Sequence, residues 1–138
     1  MSSISTEFLN RCIETLEKSY SLLLNAPKDS IDYEMYRNSL VKGFEMTLEQ
    51  GGKLLRKKLK PYFASSKEVD KLAYKELFRH ALKHGLLEEA LVERWFKYRD
   101  NRNSTTHDYG EKFASETISL IEDFIKDAKK LEGVIAND

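Results

Sequence analysis

The stretch from Asp32 to Lys60, DYEMYRNSLVKGFEMTLEQGGKLLRKKLK, decides the fold class of this chain. Tyr33, Tyr36 or Arg37, Leu40, Phe44, Leu48, Gly51, Leu55 and Leu59 recur at steps of three and four, the period of one helix face. Nothing in the stretch alternates apolar with polar residues, and Pro61 ends it. The spacing predicts the longest helix of the chain. Gly51-Gly52 lies in its middle at a cost of about 1 kcal/mol per glycine relative to alanine, so the pair predicts a kink or a close helix contact. Upstream, Pro27 with Lys28, Asp29 and Ser30 makes a turn, and Asp29, Ser30 or Asp32 can cap the helix.

The flanks read the same way. Phe8, Leu9, Cys12, Ile13, Leu16, Tyr20, Leu23 and Leu24 form the stripe of a helix over residues 5–25. A short helix after Asp70 carries Tyr74, Leu77, Phe78, Ala81 and Leu82, with Gly85 placed as its C-cap. A fourth helix runs from Glu88 to the Asp100–Arg102 region and a fifth from Thr106 to Glu132. No period-2 alternation and no Asn-Gly hairpin signal a strand. The expected fold is all-α, an antiparallel helical bundle of about five helices with a four-helix up-and-down core. The expected organisation is a single helical domain over 1–138.

Composition narrows the function. Of 138 residues, 41% are apolar and 33% charged, which fits a charge-coated globule with a core of its own. Lys+Arg and Asp+Glu both number 23, so net charge offers no case for a nucleic-acid binder, DNA is not expected as a partner, and only a local basic patch remains. No apolar run approaches the ~20 residues of a membrane span, so no membrane association is expected. MSSISTEFLN lacks the basic-then-apolar order of a secretory signal. Cys12, the single cysteine, sits in an apolar stripe as a small core residue and favours a reducing compartment; the expected location is cytoplasmic.

The chemistry gathers between the fourth and fifth helices, in Asp100-Asn101-Arg102-Asn103-Ser104-Thr105-Thr106-His107-Asp108-Tyr109-Gly110. Asn, Ser and Thr break helices and cap them, and Thr105 with Asp108 resembles a capping box for the fifth helix. Leu91, Trp95, Tyr98 and Arg102 form one inward stripe; His107 is followed on its face by Ala114, Ile118, Ile121 and Ile125. An arginine and a histidine thus converge on one junction. In the first turn of a helix, the dipole disfavours imidazolium and leaves His107 a neutral base. A purely structural role is open as well: Arg102 bonding the last carbonyls of its helix and pairing with Asp100 or Asp108.

RNSTTHDY matches the R-x4-H-x-Y form of the HEPN superfamily, small helical bundles whose active members carry an R-x4–6-H motif. Phe44-Glu45-Met46-Thr47-Leu48-Glu49 resembles the F-E-x-T-x-E-L-x-W-K signature of the nucleotidyltransferase substrate-binding proteins; Lys53 matches its closing lysine, while Gln50 and Gly52 depart from it. HALKHGLL, a Trp95-Phe96 helix and then the motif follow in the same order, so the likeness covers the chain from about Tyr33 onward.

The resemblance implies a partner system. Such proteins are encoded beside a minimal nucleotidyltransferase, and the pair behaves as toxin and antitoxin. It implies a homodimer whose two motifs face a cleft that cuts RNA without metal, with Arg102 and His107 as the catalytic pair. It also implies Tyr109 as the tyrosine silenced by AMP transfer from the nucleotidyltransferase. The residue types suit this: His107 as a base near neutral pKa, Arg102 as a fixed cation for charge on a phosphate. Asn103 either orients phosphate or imidazole beside them or caps a helix. The alternative is a non-catalytic subunit that presents substrate to the nucleotidyltransferase.

Weaker signals remain. Lys53, Arg56, Lys57 and Lys60 form a basic stripe, read either as a solvated face that suits the helix C-terminus or as an RNA- or partner-binding surface. Glu45 and Glu49 lie one turn apart without a histidine pair, and His80 and His84 lack the glutamate of HExxH, so no metal site is expected. Trp95, Phe96 and Tyr98 read as core or dimer contacts. No Gly-rich phosphate loop and no nucleotidyltransferase signature occurs, so no cofactor is expected and the chain is not itself the transferase.

Overall fold

A computed structural model of the chain describes residues 4–103 and 111–137, with the backbone alone for 102–103 and 111–114. Its elements are α1 (Glu7–Asn25), α2 (Ile31–Leu59), a 3-10 turn (Lys60–Tyr62), α3 (Ser66–Asp70), α4 (Tyr74–Lys83), α5 (Glu89–Asn103) and α6 (Glu111–Ala136), with no strand among the described residues. Among the described residues the architecture is all-helical as expected, with six helices where about five were expected.

Local chemistry sets the helix ends. Ser30 caps α2: its Oγ accepts the Tyr33 N–H at 3.1 Å and donates to the Pro27 carbonyl at 2.6 Å. Asp32 and Glu34 in the first turn of α2, and Arg56, Lys57 and Lys58 in the last, follow the helix dipole. α4 closes with a Schellman motif at Gly85 (φ 73°), where the Leu86 N–H reaches the Ala81 carbonyl at 2.9 Å and the Gly85 N–H the Leu82 carbonyl at 3.0 Å. The additional helix, α3, starts at Ser65, whose Oγ accepts the Glu68 N–H at 3.4 Å, while the Glu68 carboxylate accepts the Ala64 N–H at 3.3 Å. It buries only Val69, too little to show as a period in the sequence.

α2 is the spine. Its 29 residues extend about 43 Å, and it packs against α1, α6, α4 and α5 in turn. α1 also packs on α6, and α6 on α5. Gly51 and Gly52 are sites of close approach, the second of the two outcomes expected for the pair. A Cβ on Gly51 would lie 3.0 Å from Leu131 Cδ2 and 3.3 Å from Trp95, and one on Gly52 2.4 Å from the Tyr74 ring.

The α1 stripe is narrower than its sequence suggests. Leu9, Cys12, Ile13, Leu16 and Leu23 are buried, and Tyr20 packs half-buried against the core. Phe8 and Leu24 are 52% and 63% exposed, since each lies about 100° around the helix from its buried neighbour. Beside the stripe, polar bonds fasten α1 to α6: Thr6 Oγ1 donates to Glu132 at 2.6 Å, and Lys129 pairs with Glu17 at 2.9 Å. No helix among the described residues is long and apolar enough to cross a membrane.

Candidate functional site

α5 faces the core with Leu91, Trp95 and Tyr98, as its spacing predicts. Trp95 lies 5.4 Å from Phe78, 5.3 Å from Phe124 and 5.7 Å from Tyr98, ring centre to ring centre, so the helix is seated by interlocked aromatics. Arg102 and Asn103 close α5, and α6 is under way at Glu111. The Arg-x4-His-x-Tyr string therefore starts on the last turn of α5. The Arg102 and Asn103 side chains, His107, Tyr109 and the expected Thr105–Asp108 cap lie outside the described residues, as does the Ala114 side chain. On α6, Ile121 and Ile125 are buried and Ile118 half-buried, following the face read from His107.

Two sets of polar bonds hold α5 and α6 in register on either side of the string. Asn101 Nδ2 donates to Thr117 Oγ1 at 3.1 Å. Further along the pair, Arg94 grips Asp127 with both Nε (2.8 Å) and Nη2 (2.9 Å), and the Tyr98 hydroxyl donates to the same carboxylate at 2.5 Å. Asp127 is 2% exposed, so its charge depends on those three donors. Burial first, and then the hydrogen bond to Asp127, push the Tyr98 hydroxyl well above its ordinary pKa; the Asp127 carboxylate holds the Arg94 guanidinium above its own. Such a brace suits a site whose reacting groups sit on a connection between two helices. Sequence reading missed it, although the signal was present: Asp127 is an acid on the apolar stripe of Phe124, Ala128 and Leu131. Asp100, a sequence candidate for pairing with Arg102, carries a bond from Lys75 Nζ at 2.5 Å.

The four basic candidates, Lys53, Arg56 and Lys57 on α2 and Lys60 in the 3-10 turn, diverge. Lys53 and Arg56 line a cleft of about 270 Å³ with Glu49, Gly52, Tyr74, Leu77 and Arg99. Arg56 is anchored there, Nη1 on the Val69 carbonyl at 2.5 Å and Nη2 on the Leu72 carbonyl at 3.0 Å. Lys57 and Lys60 are exposed and do not line this cleft. A second, larger cleft of about 600 Å³ lies between the α4–α5 connection and the end of α6, walled by Leu86, Leu91, Arg94, Lys130 and Val134.

His80 and His84 pack on aromatics, His84 stacked on Tyr62 at 4.4 Å and His80 edge-on to Phe63 at 5.0 Å. Among the described residues no group of three His, Cys, Asp or Glu side chains is placed to hold a metal ion. Burial pushes the Cys12 thiol upward, away from the reactive thiolate.

Known proteins supply the context. Residues 9–136 match the family described as nucleotidyltransferase substrate binding protein like. A probable ribonuclease HepT from Haemophilus influenzae is 28% identical over 85 residues; that alignment covers 62% of this chain and spans just over half, 57%, of the relative. The solved structure of the substrate-binding domain of a nucleotidyltransferase, also from Haemophilus influenzae, superposes with a TM-score of 0.82 at 22% identity, over 96% of this chain and all of that one (100%). A crystal structure from Thermus thermophilus superposes at 0.74 with 21% identity, over 94% of this chain and 99% of its own. Both structures share the fold. With the family match extending from Leu9 in α1 to Ala136 at the end of α6, the chain belongs to the HEPN-type nucleotidyltransferase substrate-binding protein family.

Proposed function

We propose that this protein is the toxin of a toxin–antitoxin pair: a single-domain, metal-independent endoribonuclease that works as a cytoplasmic homodimer. Its partner is a minimal nucleotidyltransferase that silences it by transferring AMP to Tyr109. The observation that carries the reading is the braced junction. The Arg-x4-His-x-Tyr string begins on the last turn of α5, and Asn101–Thr117 and Arg94–Asp127–Tyr98 tie that helix to α6. Similarity to a probable ribonuclease supports the reaction class.

In this reading His107 takes the proton of a ribose 2′-hydroxyl, and the freed oxygen attacks the neighbouring phosphorus. The 5′-oxygen leaves and takes up a proton from water, giving a 2′,3′-cyclic phosphate and a 5′-hydroxyl end. Arg102 holds the charge that grows on the phosphate, and Asn103 orients it. AMP on Tyr109 adds bulk and negative charge two residues from the base and blocks the strand.

A second reading has its own support. The family description and the superposed substrate-binding domain favour a non-catalytic subunit that presents substrate to a nucleotidyltransferase. One experiment separates the two: RNA cleavage in chelator by the purified protein, with unmodified Tyr109 confirmed by mass, beside His107→Ala. Cleavage by the parent alone supports the toxin. Absence of cleavage from both moves the assignment to the binding subunit.

A further inference from the structure

Arg99 and Lys53 share the cleft between α2, α4 and α5, and neither makes an ion pair among the described residues. Arg99 is nevertheless held in place. Its guanidinium lies 4.2 Å from the centre of the Tyr74 ring. That ring is locked in turn: the Tyr74 hydroxyl donates to the Leu48 carbonyl at 2.6 Å and accepts from Trp95 Nε1 at 2.9 Å. Gly52 lets the ring lie against α2, since a Cβ there would come within 2.4 Å of it. A guanidinium stacked on a fixed ring keeps its edge free for a ligand and has already lost much of its rotamer entropy.

Charge defines the ligand. Lys53, Arg56 and Arg99 against Glu49 leave the wall positive by two, and the Arg56 fork is occupied by the Val69 and Leu72 carbonyls. Among the described residues that line the cleft, Lys53 and Arg99 are the cations left to meet an anion. Arg99 stands one turn before Arg102 on α5, so this cation lies one helical turn from the start of the candidate catalytic string.

We propose that Lys53 and Arg99 form a phosphate subsite that grips the backbone of a single-stranded RNA next to the scissile position, with Tyr74 as the positioning residue for Arg99. The proposal rests on the ribonuclease reading of the adjoining string, and binding is measured apart from cleavage so that the two can fail separately. The probe is a fluorescently labelled single-stranded RNA oligonucleotide, titrated over a range of salt. The proteins are the parent, Arg99→Gln, Lys53→Gln, and Lys18→Gln on the exposed face of α1 as control.

Each cleft variant is expected to bind the strand about tenfold more weakly and to lower the salt slope by about 0.7, the value of one phosphate contact to a single strand. KM rises in the same variants and kcat holds, while Lys18→Gln matches the parent. If the parent cleaves and the cleft variants bind and cleave as it does, the subsite is overturned and the ribonuclease reading stands. If the parent does not cleave but binds the strand through these two residues, the subsite stands and the ribonuclease reading falls. Saturable binding of ATP at Lys53 and Arg99 with no binding of the strand overturns the RNA assignment.

Discussion

Asn101 Nδ2 donates to Thr117 Oγ1 at 3.1 Å, and Thr117 is fully buried. The bond crosses from the last turn of α5 to α6 and so encloses the entire string from Arg102 to Tyr109. Thr117→Val keeps the side-chain shape and removes the acceptor, at an expected cost of about 1 kcal/mol. Under the ribonuclease reading it lowers kcat more than it raises KM, because a looser junction misplaces the reacting groups. Thr117→Ser keeps the hydroxyl and is expected to recover most of the rate. Denaturant midpoints and cleavage kinetics check the pair; equal rates in Val and Ser variants would sink the positioning role.

The Tyr98–Asp127 bond predicts behaviour at alkaline pH. The phenol is raised above its unfolded value of about 10, so its contribution to stability is full below about pH 10 and is lost as pH climbs toward the folded value. Tyr98→Phe removes a hydrogen bond to a charged acceptor and is expected to cost about 1.5–3 kcal/mol at neutral pH. The variant also loses part of the decline in stability above about pH 10. Urea unfolding across that range reads both effects, and parallel pH curves for parent and variant would contradict the assignment.

The glycines of α2 and α6 form an internally controlled series. Gly52→Ala drives a methyl into the Tyr74 ring at 2.4 Å and is expected to destabilise by about 1–3 kcal/mol. Gly51→Ala meets Leu131 at 3.0 Å, so the gain in helix propensity and the crowding oppose each other and the net change is smaller. Gly133→Ala meets nothing within 4 Å and is expected to stabilise by about 1 kcal/mol. Thermal melts establish the order; a Gly52→Ala protein as stable as the parent would mean the ring swings away at little cost.

Arg56 is expected to act on stability. Its two bonds close the carbonyls of Val69 and Leu72 at the end of α3 and just beyond it. Arg56→Met keeps the aliphatic stem, leaves the Leu72 carbonyl to water and leaves the Val69 carbonyl with backbone donors alone, for a loss of about 2 kcal/mol in unfolding free energy. Proteolysis within residues 64–73 should quicken in step with that loss.

Apart from α3, the helices of this chain were legible because their signals are local. The spacing of Leu40, Phe44, Leu48, Leu55 and Leu59 and the stop at Pro61 imply a long helix without reference to anything it touches. Gly51-Gly52 announced a kink or close packing, since two glycines in mid-helix are costly unless something needs them, and the structure shows close packing. Arg102 and His107 stood out by spacing and residue type, and Tyr109 by the family resemblance; of that string the structure describes only its start, Arg102 and Asn103 on the last turn of α5. What spacing cannot carry is the identity of a partner on another helix. Arg94 meets Asp127 across 33 positions, and Tyr74, 26 residues from Leu48, rests on α2 and holds Arg99. For the same reason Lys53 and Arg56, one turn apart on α2, have different roles: folding brings the Val69 and Leu72 carbonyls to Arg56 and no comparable acceptor to Lys53 among the described residues. Periodicity says which face a residue occupies; the packing of separate helices says what it finds there.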